Sequence, residues 1–415
     1  MDIATVDSYA LSSPIDPPQD RPFQGGTRRL LKRDVVLIVV ERTDGRRGFA
    51  TAGASSSAMT EYFEGDSQGT FADIVDGPVA DALEGETIGS IPDAHDLIRD
   101  GSVPAGDVTE AISAIDVALW DLRGKEHGVP VYELLADEYG TDPTLELPLY
   151  ASAGMYMEPE GFADQAELIE DLGFFGYKYR PGIGPDGDRR TVELLADRLT
   201  ETEFMLDVHT WWKLGEAYGR ETVRDLVAHA GEHGAYWVEE PVEPDDHEGY
   251  VELAETGAPL AGGESEETAA GLVELGETGA VSFLQGDVRH HEGFTGCREA
   301  VEFCAGRDAV EFVPHNFGTW IGLAANAHLV AAAPETRLLE YPVFENDPAL
   351  ADVGGDPGMY PFDLAFDIIE SEPAVDDGVL SVPEGPGLGI EVDLDVVEAY
   401  PFEDGPWTEF RYDDE

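Results

Sequence analysis

The sequence predicts an α/β protein, in which a (β/α)8 barrel follows a smaller α+β domain. Three observations support this prediction. Short strand-like segments recur over residues 147–342, and several end in a polar residue able to do chemistry. A helix-like segment lies in each interval between them, and residues 1–135 lack this alternation. One strand plus one helix per roughly 25–30 residues is the period of such a barrel, whose active site lies at the C-terminal ends of the strands.

Polar residues at the ends of seven strand-like segments set the period. They are Lys178, Asp207, Glu239, Glu264, Asp287, His315 and Glu340. By subtraction, successive members are 23 to 32 residues apart, and helix-like segments such as residues 188–199 and 268–275 lie between them. Residues 147–151 fit an eighth strand, the first in chain order. We therefore expect these seven side chains to share one cavity.

The domain before the barrel contains a predicted β-hairpin and a predicted helix. Residues 34–41 form one strand, residues 43–45 the turn and residues 47–51 the returning strand. A helix is predicted over residues 108–123, where apolar residues share one face and Gly124 supplies a stop.

Two segments of this domain are predicted to be loops that determine substrate specificity. Residues 14–26 are rich in Pro, Asp and Gly, and residues 52–59 are rich in amino acids with small side chains. After Pro342, short strands and turns return, which we expect to pack back on the first domain. The predicted divisions are an N-terminal domain of residues 1–135, a catalytic barrel of residues 136–345 and a C-terminal segment of residues 346–415.

The charge of the chain is strongly acidic. Its 415 residues include 87 Asp and Glu against 24 Lys and Arg, a formal net charge of −63. A disordered acidic chain is excluded, because 42% of the residues are apolar. Nucleic acid is excluded as a partner, because no basic stripe exists to meet phosphates. The composition indicates a solvated acidic surface of the kind that halophilic proteins carry.

The cysteines and the N-terminus bear on localisation. The two cysteines, Cys297 and Cys304, lie seven residues apart in a predicted helix and form no Cys-x-x-Cys pair. The N-terminus lacks the features of a signal peptide, and no apolar run approaches 18 residues. We expect a soluble cytoplasmic protein without a membrane partner.

The strand-like segment of residues 203–209 suggests a metal site. Residues two apart in a strand point to the same side, so Asp207 and His209 can face one cavity. A carboxylate beside an imidazole suits a metal ligand paired with a proton carrier. This segment alone is equally compatible with a strand end that carries two solvated polar residues.

Two stretches carry a resemblance to a known family. Residues Ala114–Lys125, followed by Gly128–Leu135, resemble the signature helix of the enolase superfamily, in its mandelate racemase/muconate-lactonizing group. The resemblance spans about residues 30–345. It continues through Lys178–Arg180, Asp207–His209, Val238–Pro241, Gly263–Ser265, Asp287, Pro314–Asn316 and Leu339–Pro342. It implies a modified (β/α)7β TIM-type barrel with an α+β capping domain, and a barrel in which one strand runs antiparallel to the rest.

The resemblance also implies a divalent metal, Mg2+ or another. The matching ligands are Asp207, Glu239 and Glu264, whose hard oxygen atoms suit Mg2+. Glu240 and Glu266 are rival ligands. Strand alternation places Glu240 on the face opposite Glu239, and Glu266 lies beyond the end of its strand, so we favour Glu239 and Glu264.

A His–Asp pair matches the dyad of the family. Asp287 ends the sixth strand and His315 the seventh, and a carboxylate on one ring nitrogen raises the basicity of the other. His291, in the loop after the sixth strand, is a minor competitor for the role of His315.

Three further residues receive roles from the resemblance. Lys178 resembles the first lysine of a Lys-x-Lys motif that acts as a base on the other face of the substrate. The second position holds Arg180, which can lower the pKa of a neighbouring lysine or bind a substrate carboxylate. Glu340 matches an acid that donates to the substrate carboxylate when protonated.

The implied reaction begins with abstraction of the proton α to a carboxylate, which metal coordination makes accessible. His209 resembles the extra acid of sugar-acid dehydratases in this family. We expect a Mg2+-dependent dehydratase of an aldonic or related sugar acid that yields a 2-keto-3-deoxy acid. The alternatives are a racemase or epimerase of a 2-hydroxy acid, which Lys178 and His315 would serve, and a non-catalytic homologue. A cycloisomerase ranks last, because the sixth strand ends in Asp287 rather than lysine. We expect a homo-oligomer whose partner is a small-molecule carboxylate.

Overall fold

The computed structural model describes residues 1–52, 69–214, 217–350, 358–370 and 372–413. Most of the predicted specificity loop at residues 52–59 lies outside these residues. Within them, a four-stranded antiparallel sheet with helices precedes the barrel, which is built from a separate sheet. We call the first sheet and its helices the capping unit.

A long hairpin dominates the capping unit. Strand β1 (Ile3–Phe23) pairs with β2 (Gly26–Arg42), and β2 pairs with β3 (Arg47–Ala52), as the predicted hairpin requires. The prediction that residues 14–26 form a loop is wrong, because the ladder runs on to Phe23 and Gly26 with its turn at Gln24 and Gly25. Strand β1 is an edge strand, where residues without an N–H are tolerated, and its pairing breaks between Pro14 and Gln19.

The helices of the capping unit are α1 (Gly69–Ile74), a π-helical turn (Val75–Val79), α2 (Ala80–Leu83), α3 (Ile91–Asp100), α4 (Val108–His127) and α5 (Val131–Tyr139). Helix α4 continues through Gly124, so the predicted stop is wrong, and the helix ends at Gly128 with φ of +72°. A Cβ atom on Gly124 would lie 2.7 Å from the backbone of Gly387. Gly124 is therefore a close-packing position against the C-terminal segment.

Eight strands form the barrel: β4 (Glu146–Met155), β5 (Gly176–Arg180), β6 (Glu203–Asp207), β7 (Trp237–Glu239), β8 (Leu260–Gly262), β9 (Phe283–Leu284), β10 (Glu311–Phe312) and β11 (Leu339–Pro342). The intervening helices are α6 (Pro159–Asp171), α7 (Pro185–Arg198), α8 (Thr210–Lys213), α9 (Arg220–Glu232), α10 (His247–Ala254), α11 (Ala269–Glu277), α12 (Gly293–Cys304) and α13 (Trp320–Ala332). Seven strand–helix units and a last strand give the expected (β/α)7β barrel. In the described part of the chain, no helix combines the length and the apolar character that a membrane span needs.

The barrel strands that pair with one another do so in parallel. Strands β4 to β10 pair in succession, and β11 pairs with β4. The expected antiparallel barrel strand is absent from the described barrel, because a helix returns the chain to the same end before each new strand. The antiparallel partner of β4 comes from the C-terminal segment. It pairs with residues 146–148 at the start of β4, away from the C-terminal end of that strand.

The C-terminal segment contacts both units. It contains a 3-10 turn (Pro348–Leu350), α14 (Asp363–Asp367), β12 (Ala374–Asp376), β13 (Val379–Ser381), α15 (Val396–Ala399) and β14 (Thr408–Tyr412). Strand β13 pairs with the start of β4, and β14 pairs with residues 26–30 of β2. The divisions at residues 135 and 345 stay predictions.

An apolar plug fills the lower part of the barrel and leaves the strand ends to polar residues. Its buried members are Tyr150, Met205, Trp237, Ala261, Val313 and Leu338. The inward residue two positions after Met205 is Asp207, and the one two positions after Trp237 is Glu239. The apolar side chains of the plug therefore lie directly below the carboxylates inside the barrel.

Buried His328 should make stability depend on pH. Its ring is fully buried, Nδ1 accepts from the backbone N–H of Tyr132 at 3.2 Å, and burial lowers its pKa to about 4. The unfolded state, with a pKa near 6.5, binds the proton more readily, so His328 destabilises the fold progressively as the pH falls from 6.5 to about 4. The expected contribution is about 3 kcal/mol. The free energy of unfolding, measured with denaturant across this pH range, should change less steeply with pH in His328→Gln than in wild type. Equal dependence on pH in the two proteins would contradict this assignment.

The acidic surface should make stability depend on salt. With a formal charge of −63, molar KCl should raise the melting temperature above its low-salt value, because it screens repulsion between carboxylates. Near pH 4.1, the isoelectric point of the sequence, the effect of salt should shrink. A melting temperature unchanged between low and molar KCl at pH 7 would contradict the halophilic interpretation.

Candidate active site

The predicted site residues form three groups of short contacts at the C-terminal end of the barrel. Lys178 contacts Glu239 and Glu340, and Arg180 contacts Asp207, which in turn lies beside His209. On the other side, His315 contacts both Glu264 and Asp287. The structure thus brings together all nine side chains that the sequence singled out, while their roles stay predictions.

Lys178 lies in a pocket of carboxylates. Its Nζ is 2.6 Å from Glu239 Oε1 and 2.9 Å from Glu340 Oε1, and the side chain is 1% exposed. Burial alone would lower its pKa, but Glu239 and then Glu340 raise the pKa above the ordinary lysine value. Lys178 is therefore an ammonium group in this arrangement. Glu340 also accepts from the backbone N–H of Asn316 at 2.8 Å, which fixes its carboxylate.

Asp207 ends β6 between a guanidinium and an imidazole. Arg180 Nε donates to Asp207 Oδ2 at 2.7 Å, and His209 Nδ1 lies 2.7 Å from Asp207 Oδ1. Burial alone would raise the pKa of Asp207, but His209 and Arg180 lower it well below its usual range. His209 has helical backbone angles at the start of α8, so a turn, rather than continued strand alternation, brings the two side chains together.

Glu239 is fully engaged by donors. Besides Lys178, the indole Nε1 of Trp237 donates at 2.9 Å and Nε2 of Gln285 donates at 2.8 Å. Burial raises the pKa of Glu239 to about 7, helped by Asp207 and Glu264 and opposed by Lys178. Gln285 was not predicted from the sequence, although it lies only two positions before Asp287.

The expectation that Glu240 lies on the face away from the site is wrong. Strand β7 ends at Glu239, and Glu240 has φ of +47°, which breaks the alternation. Its carboxylate accepts from the backbone N–H and the hydroxyl of Ser265, at 3.0 and 2.9 Å. Among the described residues, ligand atoms of His209, Glu240 and Glu264 lie within 4.8 Å of one another. The other rival, Glu266, pairs instead with His247 at 3.1 Å.

The His–Asp pair forms as expected. His315 Nδ1 is 3.1 Å from Asp287 Oδ2, and His315 Nε2 is 3.1 Å from Glu264 Oε2. Burial alone would lower the pKa of His315, but Glu264 and then Asp287 raise it to about 9. His291 has both ring nitrogens engaged by backbone groups, those of Asp287 and Glu266, so it is a structural residue.

Two residues that support this pair were missed by the sequence analysis. Arg289 and Asn326 both donate to the carboxylate of Asp287. Arg289 lies in a stretch interpreted only as a loop, and Asn326 lies within an otherwise apolar helix, α13. Nothing in the local sequence pattern relates either residue to a strand end.

The donor set fits a divalent cation. Within the described residues, no hydrogen bond reaches the buried Asp207 Oδ1, although His209 Nδ1 is near. An unsatisfied buried carboxylate oxygen is costly unless a cation or a donor compensates it. Together with Glu264 and Glu240, this oxygen offers the hard ligands that Mg2+ prefers. Which of the carboxylates bind the metal stays a prediction.

Acidic, basic and imidazole groups lie together at the strand ends of a barrel that carries a capping unit, an arrangement suited to acid–base chemistry. Residues 161–396 match the family described as enolase C-terminal domain-like. Residues 13–136 match the mandelate racemase/muconate lactonizing enzyme N-terminal domain. The chain therefore belongs to the mandelate racemase/muconate-lactonizing group of the enolase superfamily.

The similarity to known proteins extends over most of the chain. D-galactarolactone cycloisomerase from Agrobacterium fabrum is 27% identical, over 95% of this chain and 96% of its own. D-xylonate dehydratase from Haloferax volcanii is 27% identical, over 73% of this chain and 72% of its own. The structure of a racemase from Streptomyces coelicolor A3(2) with bound magnesium has a TM-score of 0.76 at 20% identity, covering 96% and 100% of the two chains.

Proposed function

We propose that this enzyme is a Mg2+-dependent dehydratase of an aldonic or related sugar acid. The observation that carries the proposal is His209. It is a third ionisable group in the site, besides Lys178 and His315, and it lies 2.7 Å from Asp207. Burial, opposed by Asp207, lowers the pKa of His209, so its protonated form is a stronger acid than an ordinary histidine. Inversion at the α-carbon uses one group on each face, which Lys178 and His315 can supply, so a third group in the site is available to protonate a departing hydroxyl. The similarity to a D-xylonate dehydratase supports the same reading.

Different acid–base groups break the two bonds of the reaction, the Cα–H bond and the bond to the β-hydroxyl. One group takes the proton from the carbon α to the substrate carboxylate, and His209 donates a proton to the departing β-hydroxyl, which leaves as water. The resulting enol becomes the 2-keto-3-deoxy acid when it gains a proton at the neighbouring carbon. His315 is favoured as the base, because Asp287 lies against its Nδ1 and leaves Nε2 facing the site, whereas Lys178 is held as an ammonium between Glu239 and Glu340.

The remaining groups bind and orient the substrate. Lys178, as an ammonium, suits contact with the substrate carboxylate, and Glu340 beside it can share a proton with that group. Arg180 holds Asp207 through Nε, and within the described residues no hydrogen bond engages its terminal nitrogens, which can contact the substrate. Mg2+, held by the predicted ligands Asp207, Glu239 and Glu264, would supply positive charge where negative charge develops on the carboxylate.

An isomerase of a sugar acid is the second candidate. The similarity to a D-galactarolactone cycloisomerase extends over nearly the whole of both chains, and Lys178 with His315 would suffice for racemisation or epimerisation. The mass of the product separates the two candidates, because dehydration removes one water and isomerisation removes nothing. A library of sugar acids and their lactones, incubated with Mg2+ and followed by mass spectrometry, tests the proposal. Turnover with no loss of water from any substrate would overturn it in favour of the isomerase.

Substitution of His209 should separate the two halves of the reaction. In His209→Asn, formation of keto acid should fall by about 10² to 10⁴-fold, the usual contribution of a general acid. Exchange of the α-proton with solvent should continue, because abstraction belongs to His315 or Lys178. His233→Asn, at the residue that follows helix α9, is the control and should behave as wild type. Equal rates of keto-acid formation in wild type and His209→Asn would remove His209 from the mechanism.

A further inference from the structure

The carboxylate of Asp287, which contacts His315, is also held by one arginine. The Nε atom of Arg289 donates to Asp287 Oδ1 at 3.1 Å, and its Nη2 donates to Asp287 Oδ2. Its backbone N–H donates to Oδ1 as well, at 2.9 Å. Two parallel guanidinium–carboxylate bonds restrict the plane of the carboxylate as well as its position. The third guanidinium nitrogen, Nη1, donates to the backbone carbonyl of Phe317 at 2.7 Å.

Arg289 therefore connects the two segments, after β9 and after β10, that carry the His–Asp pair. Asp287 follows β9, whereas Phe317 lies two residues after His315 in the segment that follows β10. A buried side chain that bonds both segments fixes their spacing, and hence the 3.1 Å contact between His315 Nδ1 and Asp287 Oδ2.

The surrounding structure is built around the guanidinium. Arg289 is 4% exposed. A Cβ atom on Gly318 would lie 2.5 Å from Nη1 of Arg289, and one on Gly322 would lie 2.7 Å from its Cδ. These two glycines thus leave the space that Arg289 fills. From α13, Asn326 Nδ2 adds a further hydrogen bond to Asp287 Oδ1 at 3.0 Å.

We propose that Arg289 is a positioning residue that orients Asp287, and through Asp287 the imidazole of His315, for acid–base catalysis. The proposal rests on the proposed function, because it takes the His–Asp pair as the group that exchanges the α-proton. Among the described residues, Arg289 makes three of the five hydrogen bonds to the Asp287 carboxylate, and one of them holds Oδ2, the oxygen that lies 3.1 Å from His315 Nδ1.

The test is a double-mutant cycle between Arg289 and Asp287. Arg289→Met keeps an unbranched apolar stem and removes the guanidinium. It should lower kcat for α-proton exchange by about 100-fold, the cost of misplacing a catalytic group by about 1 Å, and leave KM unchanged. In the Asp287→Asn background the same substitution should have little further effect, because Arg289 acts through Asp287. Equal effects in both backgrounds, or a raised KM with normal kcat, would overturn the proposal.

A matched control and a conservative variant accompany the cycle. Arg298→Met removes an arginine of α12 that pairs with Glu138 at the surface, and should leave kcat unchanged. Arg289→Lys keeps the charge but cannot make two parallel bonds, so it should restore folding stability more fully than kcat. Lysine that restores kcat as fully as stability would show that charge alone is needed, which contradicts the positioning role.

A measurement independent of turnover separates this proposal from the proposed function. In protein with ¹⁵N-labelled histidine, the Nδ1–H proton of His315 should give a downfield NMR signal while it is bonded to Asp287. That signal should persist in Arg298→Met and be lost or shifted in folded Arg289→Met. If no sugar acid exchanges its α-proton, the proposed function fails, while the NMR comparison still decides on Arg289. An unchanged signal in Arg289→Met overturns the positioning role whatever the reaction.

Discussion

Asp287→Asn should lower turnover by roughly 10³ to 10⁴-fold, as loss of the orienting acid does in catalytic triads. The amide is nearly isosteric with the carboxylate, so the volume of the site is preserved. It lacks the negative charge that holds the Nδ1–H tautomer of His315, and its NH2 group can face the ring nitrogen at 3.1 Å. The imidazole then loses both its orientation and its basicity.

The same substitution should also lower stability. Asp287 compensates the buried guanidinium of Arg289, and removal of one partner from a buried pair costs about 3 to 5 kcal/mol. Circular dichroism and thermal melting should therefore show a folded protein with a lower melting temperature, and steady-state kinetics should be measured below that temperature. Asp225→Asn, at an exposed position of α9, is the control for loss of one carboxylate. Near-normal turnover in Asp287→Asn would show that His315 acts without Asp287.

Removal of the metal should abolish activity, and Mg2+ should restore it. The predicted ligands Asp207, Glu239 and Glu264 are buried carboxylates, and the charges of Asp207 and Glu264 raise the pKa of Glu239, a repulsion that a bound cation relieves. We expect Asp207→Asn to weaken Mg2+ binding by at least about 100-fold, the upper end of the cost of losing an outer-shell partner. Calorimetric titration measures this without reference to turnover. Full activity in chelator-treated protein would contradict the assignment of the site.

A paired substitution decides between the two glutamates after β7. The prediction favours Glu239 as ligand, so Glu239→Gln should weaken Mg2+ binding much more than Glu240→Gln. The geometry makes this comparison necessary, because Glu239 already accepts from three donors while Glu240 lies with His209 and Glu264. The reverse order of affinities would make Glu240 the ligand and correct the prediction.

The sequence pattern was sufficient for the barrel but not for the capping hairpin. Alternating strands and helices of regular length predicted all eight barrel strands, because each buried strand is a short apolar run between polar ends. Residues 14–26 were taken for a loop because prolines and glycines usually end strands. They continue a hairpin here because β1 is an edge strand and β14, from the far end of the chain, pairs with β2 on its other side. Pairing between segments so distant in sequence leaves no local pattern.

Part of the site was predicted from the strand period, and the rest from the family resemblance, because residues such as Glu264 and His315 lie beyond the ends of their strands. Asp207 and Glu239 lie in strands, so alternation places them correctly. Glu240 follows the strand in a positive-φ conformation, which a non-glycine residue seldom adopts. The sequence contains no pattern that predicts this conformation. Arg289 depends on two glycines from a different segment to make room for it. Such contacts are set by tertiary packing rather than by local pattern.

One NMR time course tests the central claim that this enzyme removes an α-proton and then expels a β-hydroxyl. Wild-type enzyme with Mg2+ is incubated in D2O with a sugar acid found by the screen. The account predicts a 2-keto-3-deoxy acid that has lost one water and carries solvent deuterium at the carbon that gained a proton. An inverted or rearranged product of unchanged composition, with deuterium at Cα and no keto acid, would contradict it.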